Sequence, residues 1–469
     1  LMIPLTVITL AKANELFKCT IGQAPRRLIP LDLKSKHIPF VSIHVPAYKE
    51  QPHVLEETLV ALSKLKYINY EVLVIINNTP EDFYKMPIKE LCENLGSKFV
   101  YLDIKCSGFK AGALNVALTY TNPETEILAI IDADYVISPN WLIDLVPIFD
   151  DPKVALVQAP QDHRDGNESL LKSAMNAEYA GFFDIGMVKR NEENAIVAHG
   201  TMLLLRKSAF DEVGQWNTDT IVEDSELGLR LFEAGYSAHY TNRRYGYGLL
   251  PDTIEAFKNQ RHRWAYGAIQ ILKKHWHHFK PSSVTLTAAQ KHHFITGWFF
   301  WLSDALGTVT SLLNIIWVPV IIFVGVTIPT IALTVPILTS FLVNVIHSFV
   351  LYRTRVKANL FLSLLGALAA MSLQLTIFKA VYDGFVKDSL PFKRTEKGGN
   401  TKKSSNNPIK YEIILASLLL GSFAALIVSN EQEIVEVYLF AVTLLVQSIP
   451  YISAIILRAI ELNSSKKNI

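Results

Sequence analysis

The pattern of apolar and polar positions divides the chain at about residue 280. Before that point, short apolar runs alternate with amphipathic helical patterns, which predicts an α/β layered domain over residues 40–280. The runs are nearly continuous, as in strands buried on both faces of a sheet. The predicted strands are Val41–Val45, Val72–Ile76, Phe99–Asp103, Ile127–Ile131 and Val154–Gln158. Several of them end at carboxylates or turn residues, and ligands bind at that edge of open α/β sheets.

Beyond residue 280, long uncharged stretches predict membrane-spanning helices. No Asp, Glu, Lys or Arg occurs between residues 305 and 352, and one span needs about 20 apolar residues. Two spans are therefore predicted within 297–352, joined by a turn at Val326–Pro329. Two more are predicted at 411–429 and 435–457. A buried helical hairpin in a large soluble core is the alternative, and the length of the stretch disfavours it.

The segment Ala358–Phe378 is also long enough to cross a bilayer, but its flanking charges indicate otherwise. Basic residues occur on both sides of it, at 353–357 and at 379–410. If it crossed, one basic cluster would face outward, against the positive-inside tendency. We therefore predict an interfacial or re-entrant helix, with both clusters in the cytoplasm. The loop Ser429–Glu436 carries three Glu and no basic residue, which favours the outer side.

Two further features bear on the membrane boundary. Leu1–Ala11 is uncharged and basic residues follow it, the reverse of a signal peptide. This order predicts the tail of a truncated transmembrane helix in a longer protein. Trp298 and Trp301 are predicted to belong to an interfacial aromatic belt.

The patterns together predict six regions along the chain. They are the helix tail 1–11, a cytoplasmic or interfacial linker 12–39, the α/β domain 40–280, an interfacial helix with two transmembrane helices 281–352, an interfacial helix and loop 353–410, and two transmembrane helices with a cytoplasmic tail 411–469.

Charge and cysteine content exclude some classes of function. The formal net charge is +2, and residues 40–280 carry no basic stripe interleaved with aromatics, so nucleic acid is not an expected partner. The three cysteines (Cys19, Cys92 and Cys106) form no CxxC pair and no Cys/His cluster. Neither a disulfide framework nor zinc is therefore indicated, and a reducing cytoplasmic setting is expected for residues 12–280.

The first candidate for chemistry is the pair Asp132 and Asp134, which follows a predicted strand. Two carboxylates spaced i, i+2 at a strand end can share a divalent cation with the diphosphate of a nucleotide. Hard oxygen ligands select Mg²⁺, or alternatively Mn²⁺. A solvated turn is the alternative interpretation of an isolated DxD sequence.

Two later motifs add a candidate base and a pyrophosphate grip. Glu223 and Asp224 precede a helical pattern, where acids also complement the helix dipole. Gln260 and Arg263 share one face of a helix predicted over 253–275, so that they can hold pyrophosphate together. Trp264 offers a flat surface on which a sugar ring can stack. The alternative is an amphipathic helix at the membrane surface with snorkelling cations.

The order of these motifs, followed by two membrane spans, resembles family-2 glycosyltransferases of the cellulose-synthase and hyaluronan-synthase type. The resemblance covers nearly all of residues 38–460 and implies a cytoplasmic GT-A domain that feeds a transmembrane polymer channel. Further matching runs are PAYKE at 46–50, KAGALN at 110–115, VQAP at 157–160, HGT at 199–201 and FKRTEKG at 392–398.

The resemblance and the motifs together assign a role to each candidate residue. Binding of the nucleotide sugar is assigned to Tyr48, Glu50, Lys110, Asp132, Gln260, Arg263, Thr395 and Lys397. Binding of the acceptor is assigned to Trp264, Glu223, His199, Gly200 and Gln158. The metal ligands are Asp132 and Asp134, and the catalytic base is Asp224.

The sequence departs from the family pattern at three places. Asn77-Asn78 stands where cellulose synthases usually have a carboxylate pair. Val222 replaces the Thr of the usual TED triplet, and Arg394 replaces the usual Val of the gating loop. Asn77-Asn78 bears on recognition of the nucleotide base, and Arg394 bears on docking of the gating loop.

The expected reaction is an inverting single displacement. Asp224 would remove the proton from the acceptor hydroxyl, so that an α-linked donor gives a β-linkage. Runs at 157–166, 177–184 and 264–273 resemble bacterial β-(1,3)- or β-(1,3)/(1,6)-glucan synthases, which implies UDP-glucose as donor. Cellulose, mannan or a chitin-like polymer are alternative products. A nonprocessive polyprenyl-phosphate glycosyltransferase, or a transporter with a degenerate cytosolic domain, is the alternative from another class.

The expected partners follow from this reaction. They are the nucleotide-sugar donor, the growing polysaccharide, the lipid bilayer, and accessory subunits or additional N-terminal helices. The expected location is the inner or plasma membrane, with several spans and the catalytic domain in the cytoplasm.

Overall fold

The computed structural model describes residues 2–467 except 21, 23, 31, 32, 34, 36, 326–329, 392–394 and 400–406. The predicted turn at Val326–Pro329 and residues 392–394 of the gating-type run lie outside the described residues. The strands are β1 Phe40–Ala47, β2 Tyr70–Asn77, β3 Phe99–Ile104, β4 Thr125–Ile130, β5 Val136–Ile137, β6 Val154–Gln158, β7 Leu203–Arg206, β8 Ser237–Tyr240 and β9 Gly246–Tyr247.

The helices before residue 280 are mostly short, and most of those after it are long and apolar. They are α1 Met2–Thr20, α2 Pro52–Ser63, α3 Asp82–Leu95, α4 Phe109–Ala117, α5 Trp141–Leu145, α6 Leu170–Gly181, α7 Val188–Glu192, α8 Lys207–Glu212, α9 Glu223–Glu233, α10 Ile254–His275, α11 Ala288–Val324, α12 Thr330–Leu351, α13 Leu360–Met371, α14 Gln374–Val386, α15 Lys410–Ser429 and α16 Val435–Lys467. Short 3₁₀ segments lie at Leu118–Tyr120, Val146–Asp150 and Trp276–Phe279, and π-helical segments at Phe182–Met187 and Tyr352–Val356.

Seven strands form one mixed sheet in the order β3-β2-β1-β4-β7-β6-β8. Strand β7 is antiparallel to both β4 and β6, whereas the other neighbouring pairs are parallel. All five predicted strands are confirmed, and so is the α/β class with a helical membrane part. The carboxyl ends of β1, β2 and β4 meet at one edge, where open α/β sheets bind ligands.

Each face of the sheet carries its own apolar core. On β2, Leu73 and Ile75 belong to one core, and the alternate residues Val72 and Val74 belong to the other, as the period of two requires. The first core continues into the helices of the second part. There Trp298 is 5% exposed and packs on Phe279 at a ring-centroid distance of 4.6 Å. The predicted place of Trp298 in an interfacial belt is therefore wrong, because this ring joins the two parts of the molecule.

Among the described residues, five helical segments are long and apolar enough to cross a membrane, and they make this a multi-pass membrane protein. They are Ala288–Val324, Thr334–Val356, Leu360–Val386, Lys410–Ser429 and Val435–Ser464. Four of them correspond to the predicted spans, and the third contains most of the segment predicted to be interfacial.

That third segment is broken between α13 and α14, at Ser372 and Leu373. Its halves pack on different helices of the α/β domain, α13 on α6 and α14 on α10. The second contact is close: a Cβ on Gly384 would lie 2.7 Å from Cβ of Ile269. The interfacial position remains a prediction, and this packing against the α/β domain supports it.

Helix α1 runs past the predicted helix tail to Thr20 and packs on α11 and α12. Polar contacts join it to α12, where Lys12 Nζ donates to Asn344 Oδ1 at 2.5 Å and Glu15 meets His347 at 3.0 Å. The linker predicted over 12–39 therefore begins later than expected.

Candidate active site

The central element of the site is an ion pair between two sequence motifs. Phe109–Ala117 places Lys110 in its first turn, and β4 ends just before Asp132. Lys110 Nζ lies 2.7 Å from Asp132 Oδ1 and donates to the Gly200 carbonyl at 2.8 Å. Burial would lower the pKa of Lys110, but Asp132, Glu223 and Asp224 raise it above its ordinary value. Lys110 is therefore a permanent cation within a group of carboxylates.

The second carboxylate of the DxD sequence is held differently. Asp134 Oδ2 accepts from the Leu249 backbone N–H at 2.8 Å and lies 2.9 Å from Lys397 Nζ. Burial would raise the pKa of Asp134, but Lys397 and the Leu249 hydrogen bond lower it below its ordinary value. Arg164 donates to the Asp134 carbonyl and pairs with Glu57 at 2.7 Å. Asp134 is therefore ionised in a buried position.

A glycine allows the candidate base to approach these groups. A Cβ on Gly200 would lie 2.8 Å from Lys110 Nζ and 3.0 Å from Asp224 Oδ2, so a larger residue would separate them. The N–H groups of Ser225 and Gly200 donate to the Asp224 carboxylate. Thr201 accepts from the Asp132 backbone N–H at 3.0 Å. The HGT segment thus brings the acidic motifs together.

The side chain of Gln158 holds the HGT segment in place by hydrogen bonds. Its Nε2 donates to the carbonyls of Ala159 and Thr201, both at 2.9 Å, and its Oε1 accepts from the His199 N–H at 3.0 Å. The side chain is fully buried. In the structure Gln158 therefore positions the loop, and its predicted contact with the acceptor remains a prediction.

The acidic pair at the start of α9 has raised pKa values. Burial and the charge of Asp224 raise the pKa of Glu223 to about 7, against the opposing effect of Lys110. Burial also raises the pKa of Asp224, although Lys110 and the Ser225 hydrogen bond act in the other direction. Asp224 keeps some accessible surface, whereas Glu223 is buried. A base with a raised pKa accepts a proton more readily, which suits general base catalysis near neutral pH.

We expect Glu223→Gln to stabilise the fold at high pH. The folded-state pKa of Glu223, about 7, exceeds its ordinary value of 4.5. Between these values the folded protein keeps a proton that the unfolded chain has lost, so stability falls as pH rises. At pH 8 the variant should unfold about 2–5 °C above wild type. At pH 4.5 the two proteins should unfold at the same temperature. Thermal unfolding in detergent measures this, with the exposed Glu168→Gln as control. An equal difference at both pH values would contradict the assignment.

Helix α10 carries the amide, guanidinium and indole of the QRHRW motif. It is the predicted helix, with Thr253 capping its N-terminus by accepting from the Ala256 N–H at 3.1 Å. Gln260 Oε1 accepts from the Tyr179 hydroxyl at 2.5 Å. Burial lowers the pKa of Arg263, and the neighbouring charges of Glu223, Asp132 and Asp224 oppose this shift. Arg263 therefore belongs to the same charged group as Lys110.

The indole of Trp264 is held from one side by a cation. The Arg261 guanidinium lies 4.1 Å from the Trp264 ring centroid and 4.3 Å from that of Tyr179. Tyr179 also meets Trp264 edge to face, with centroids 5.9 Å apart. Glu178 pairs with Arg261. These contacts fix the orientation of Trp264, as a stacking surface requires.

His199 lies in an aromatic environment beside the acidic group. Its ring centroid is 5.3 Å from Phe182 and 5.1 Å from Phe183, both in a π-helical segment, a feature often found at functional sites. Burial, together with Arg261 and Arg190, lowers the pKa of His199 to about 3, so the ring is neutral. Its buried Nε2 has no hydrogen-bond partner among the described residues.

The predicted nucleotide residues Tyr48 and Glu50 follow β1. Tyr48 is exposed, and Glu50 lines a cleft together with Lys49, Thr79 and Tyr84. They lie at the same sheet edge as the acidic group.

The unusual Asn77-Asn78 pair has a structural role in this structure. Asn78 has a positive φ of 46°, which Asn tolerates better than most residues. Its side chain donates to the Cys106 carbonyl at 2.8 Å and accepts from the Cys106 N–H at 3.1 Å. The pair thereby holds the loop that precedes Lys110.

The described part of the gating-type run lies over the acidic site. The Glu396 carbonyl accepts from the Asp252 N–H at 3.2 Å, and the Gly399 N–H donates to Asp252 Oδ2 at 2.8 Å. Thr395 is 9% exposed, and its hydroxyl has no hydrogen-bond partner within the described residues. Thr395 therefore offers an unused donor two residues before Lys397, which pairs with Asp134.

These residues fit a divalent cation with a diphosphate. Asp132 and Asp134 supply hard oxygen ligands, and a lysine ammonium is placed on each of them in the structure. Lys110 and Lys397 therefore occupy positions where positive charge is required, and both could instead meet phosphate oxygens.

The structure brings most of the predicted residues together. Lys110, Asp132, Asp134, Gly200, Glu223, Asp224, Arg263 and Lys397 form one charged group. Sequence reasoning did not single out the positioning residues Arg164, Tyr179, Thr201 and Arg261. The available signal was that all four lie within the matched motifs and runs.

Comparison with known proteins gives the family. The model of glycosyl transferase family group 2 matches residues 127–373, just over half of the chain. Glucomannan 4-beta-mannosyltransferase 7 of Arabidopsis thaliana is 26% identical over 248 residues, 51% of this chain and 44% of its own length. A poly-beta-1,6-N-acetyl-D-glucosamine synthase of Staphylococcus epidermidis is 30% identical over 265 residues, 55% of this chain and 62% of its own length. The chain thus spans about half the length of these curated relatives.

A solved structure shows the same fold. A mannosyltransferase from Pyrobaculum calidifontis, in complex with GDP-Man and Mn²⁺, superposes with a TM-score of 0.54 at 17% identity, covering 83% of this chain and 99% of its own. The relatives named here are mannosyl and N-acetylglucosamine enzymes, so they support the predicted family without supporting a glucan product. The family match over the segment that carries the DxD, Glu-Asp and QRHRW motifs shows that this chain belongs to glycosyl transferase family group 2.

Proposed function

We propose that this protein is a membrane-embedded, inverting and processive glycosyltransferase that builds a β-linked polysaccharide from a nucleotide sugar. The observation that carries the proposal is the approach of Lys110, Asp132 and Asp224 around Gly200. This arrangement puts a cation for a leaving phosphate and a base for an attacking hydroxyl within one small volume. Membrane-spanning segments begin directly after the helix that carries Trp264.

Asp224 is the proposed general base. It would take the proton from the acceptor hydroxyl as that oxygen attacks the anomeric carbon and the bond to the diphosphate breaks. Attack from the face opposite the leaving group converts an α-linked donor into a β-linkage. The partial burial of Asp224 and its raised pKa support this role. Glu223, beside it, would meet the acceptor as a neutral or partly ionised carboxyl.

Asp132 and Asp134 would hold Mg²⁺ or Mn²⁺. When bound, the ion supplies charge neutralisation for the leaving diphosphate. Lys110, Arg263 and Lys397 would bind phosphate oxygens once the carboxylates are engaged elsewhere. Cations fixed in a partly buried site stabilise developing negative charge strongly. Thr395, with its unused hydroxyl, is the proposed hydrogen-bond partner of the nucleotide.

Trp264 and His199 are the proposed acceptor contacts. One face of the Trp264 ring is covered by Arg261, so a sugar would stack on the other face. The neutral His199 ring can donate or accept a hydrogen bond with a sugar hydroxyl through Nε2. Tyr48 and Glu50 would meet the base and ribose at the opposite end of the donor.

The product is proposed to leave through the helical part of the molecule. Inside this part, Asn314 donates to Gln447 Oε1 at 2.9 Å and Gln447 donates to Thr310 at 3.3 Å. Gln374 donates to the Tyr451 hydroxyl at 3.4 Å. Polar side chains at membrane depth are costly and often mark a functional route. The catalytic domain would then lie in the cytoplasm, and the membrane would be the inner or plasma membrane.

The identity of the donor sugar is the most specific part of the proposal. We propose UDP-glucose and a β-glucan because of the three sequence runs described above. The relatives named above make mannose and N-acetylglucosamine polymers the competing products. The nonprocessive polyprenyl-phosphate reaction is less well supported, because the QRHRW helix gives Trp264 a fixed stacking surface for a sugar chain.

We expect UDP-glucose to give polymer at a rate at least about tenfold above that of the other donors, a preference worth about 1.4 kcal/mol. The measurement supplies purified protein in nanodiscs with Mg²⁺ or Mn²⁺ and with UDP-glucose, GDP-mannose or UDP-N-acetylglucosamine in parallel. Released nucleoside diphosphate and linkage-specific digestion of the product are followed. Turnover of one of the other donors alone would replace glucose by that sugar. Turnover of none of them would contradict the proposed polymerisation.

A further inference from the structure

A second cluster of metal-ligand side chains lies outside the proposed catalytic group. Glu233 is the last residue of α9, His275 is the last residue of α10, and His278 lies in the following 3₁₀ segment. One ligand atom from each of the three lies within 4.8 Å of the others. None of these residues has a role in the proposed glycosyl transfer.

The distances fit a small tetrahedral ion. Glu233 Oε1 lies 2.9 Å from His275 Nδ1 and 3.8 Å from His278 Nε2. Ligand atoms bound to zinc at about 2.0–2.1 Å stand about 3.3 Å apart in a tetrahedron, between the two observed values. The three ligand atoms lie within 4.8 Å of one another, so an adjustment of the side chains could bring them to three corners, and solvent could supply the fourth.

In each histidine, the ring nitrogen that faces away from Glu233 has a hydrogen-bond partner. His275 Nε2 lies 3.2 Å from Glu226 Oε1, and His278 Nδ1 lies 3.1 Å from the Thr285 hydroxyl. These bonds leave His275 Nδ1 and His278 Nε2 to face Glu233. Metal-bound histidines in proteins are generally held in this way, with the second nitrogen donating to a carboxylate or another acceptor.

The supporting carboxylate is itself fixed. Glu226 is fully buried and pairs with Arg230 at 2.8 Å and with Lys274 at 3.0 Å. A buried carboxylate paired with two cations gives His275 a fixed orientation, as an outer-sphere partner requires.

We infer that Glu233, His275 and His278 form a structural zinc site. Two imidazoles and one carboxylate are a ligand set that zinc takes in proteins, and this set lacks the all-oxygen character that Mg²⁺ and Ca²⁺ prefer. The ion would join the C-terminal ends of α9 and α10. Since α9 begins with Glu223 and Asp224, and α10 carries the QRHRW motif, the ion would hold the base and the pyrophosphate grip at a fixed spacing.

The test measures zinc itself. The full chain is purified in detergent, stripped with a chelator and titrated with Zn²⁺ in excess Mg²⁺, which occupies the oxygen ligands of the DxD sequence. We expect one zinc per chain by isothermal titration and elemental analysis. Co²⁺ should give the visible absorption of a tetrahedral site, and zinc should raise the unfolding temperature.

Variants separate ligands from neighbours. His278→Ala should weaken zinc binding by at least about tenfold. Thr285→Val, which removes the hydroxyl that meets His278 and Ser283, should weaken it by about 10-fold to 100-fold. His277→Ala is the matched control, because His277 is exposed and lies outside the triad; it should bind like wild type. No zinc on the wild type, or equal binding by wild type, His278→Ala and Thr285→Val, would overturn the site. The cluster would then be a protonated His275 that bridges two glutamates.

Discussion

The variant Asp224→Asn is expected to lose polymer synthesis while it continues to bind the donor nucleotide. The amide cannot accept the proton of the acceptor hydroxyl, whereas Lys110 and the DxD carboxylates are unchanged. A general base contributes about 10²–10⁴-fold to rate, so kcat should fall by at least about 10²-fold. The affinity for the nucleoside diphosphate should stay within about threefold of wild type, because that ligand is held by other groups.

Radiolabelled sugar incorporation and nucleotide binding to the same preparation measure the two effects. The matched control is Asp219→Asn, since Asp219 is exposed and pairs with Lys274 outside the catalytic group. This control should keep wild-type synthesis. Retained turnover in Asp224→Asn would remove the residue from its proposed role. Loss of both activities would make it a structural residue.

The variant Asp134→Ala is expected to eliminate metal-dependent nucleotide binding. The carboxylate is buried and ionised beside Lys397, so its removal takes away a ligand of the proposed ion and leaves a buried cation without this partner. Without the ion, the carboxylates of the site repel the diphosphate. We expect affinity to fall by at least about tenfold in Mg²⁺ or Mn²⁺ and to become insensitive to EDTA.

Calorimetry with the nucleoside diphosphate, with and without EDTA, measures this loss. Asp134→Asn is a second variant that keeps an acceptor for the Leu249 N–H and so preserves the local fold. Asp82→Ala, at a side chain that is 81% exposed, is the control. If Asp134→Ala binds the nucleotide with wild-type affinity, and this affinity still falls on adding EDTA, then another residue binds the ion.

The fold could be predicted where continuous apolar runs marked the strands. The continuous apolar runs of β1 to β4 and β6 were visible because these strands are buried on both faces. Strand β7, Leu203–Arg206, was missed. It has only four residues, and its place between β4 and β6 depends on pairings with distant parts of the chain. Short strands of this kind carry too few residues for a period to emerge.

The site could be predicted as a set of motifs, but the contacts between those motifs could not. Spacing suggested the DxD pair and the shared face of Gln260 and Arg263. The pair of Lys397 with Asp134 bridges 263 residues, and no local pattern reports such a contact. The same reason hid the proposed zinc site. Glu233 lies 42 residues before His275, and a site without cysteines gives no CxxC spacing in the sequence.

The configuration and length of the product test the central claim most directly. Wild-type protein in nanodiscs is supplied with an excess of the α-linked nucleotide sugar that it turns over, labelled with ¹³C at the anomeric carbon. The account predicts β-anomeric signals throughout by NMR, with long chains present while most acceptors are still unextended. An α-linked product, or a product that stops at one sugar on a lipid, would contradict it.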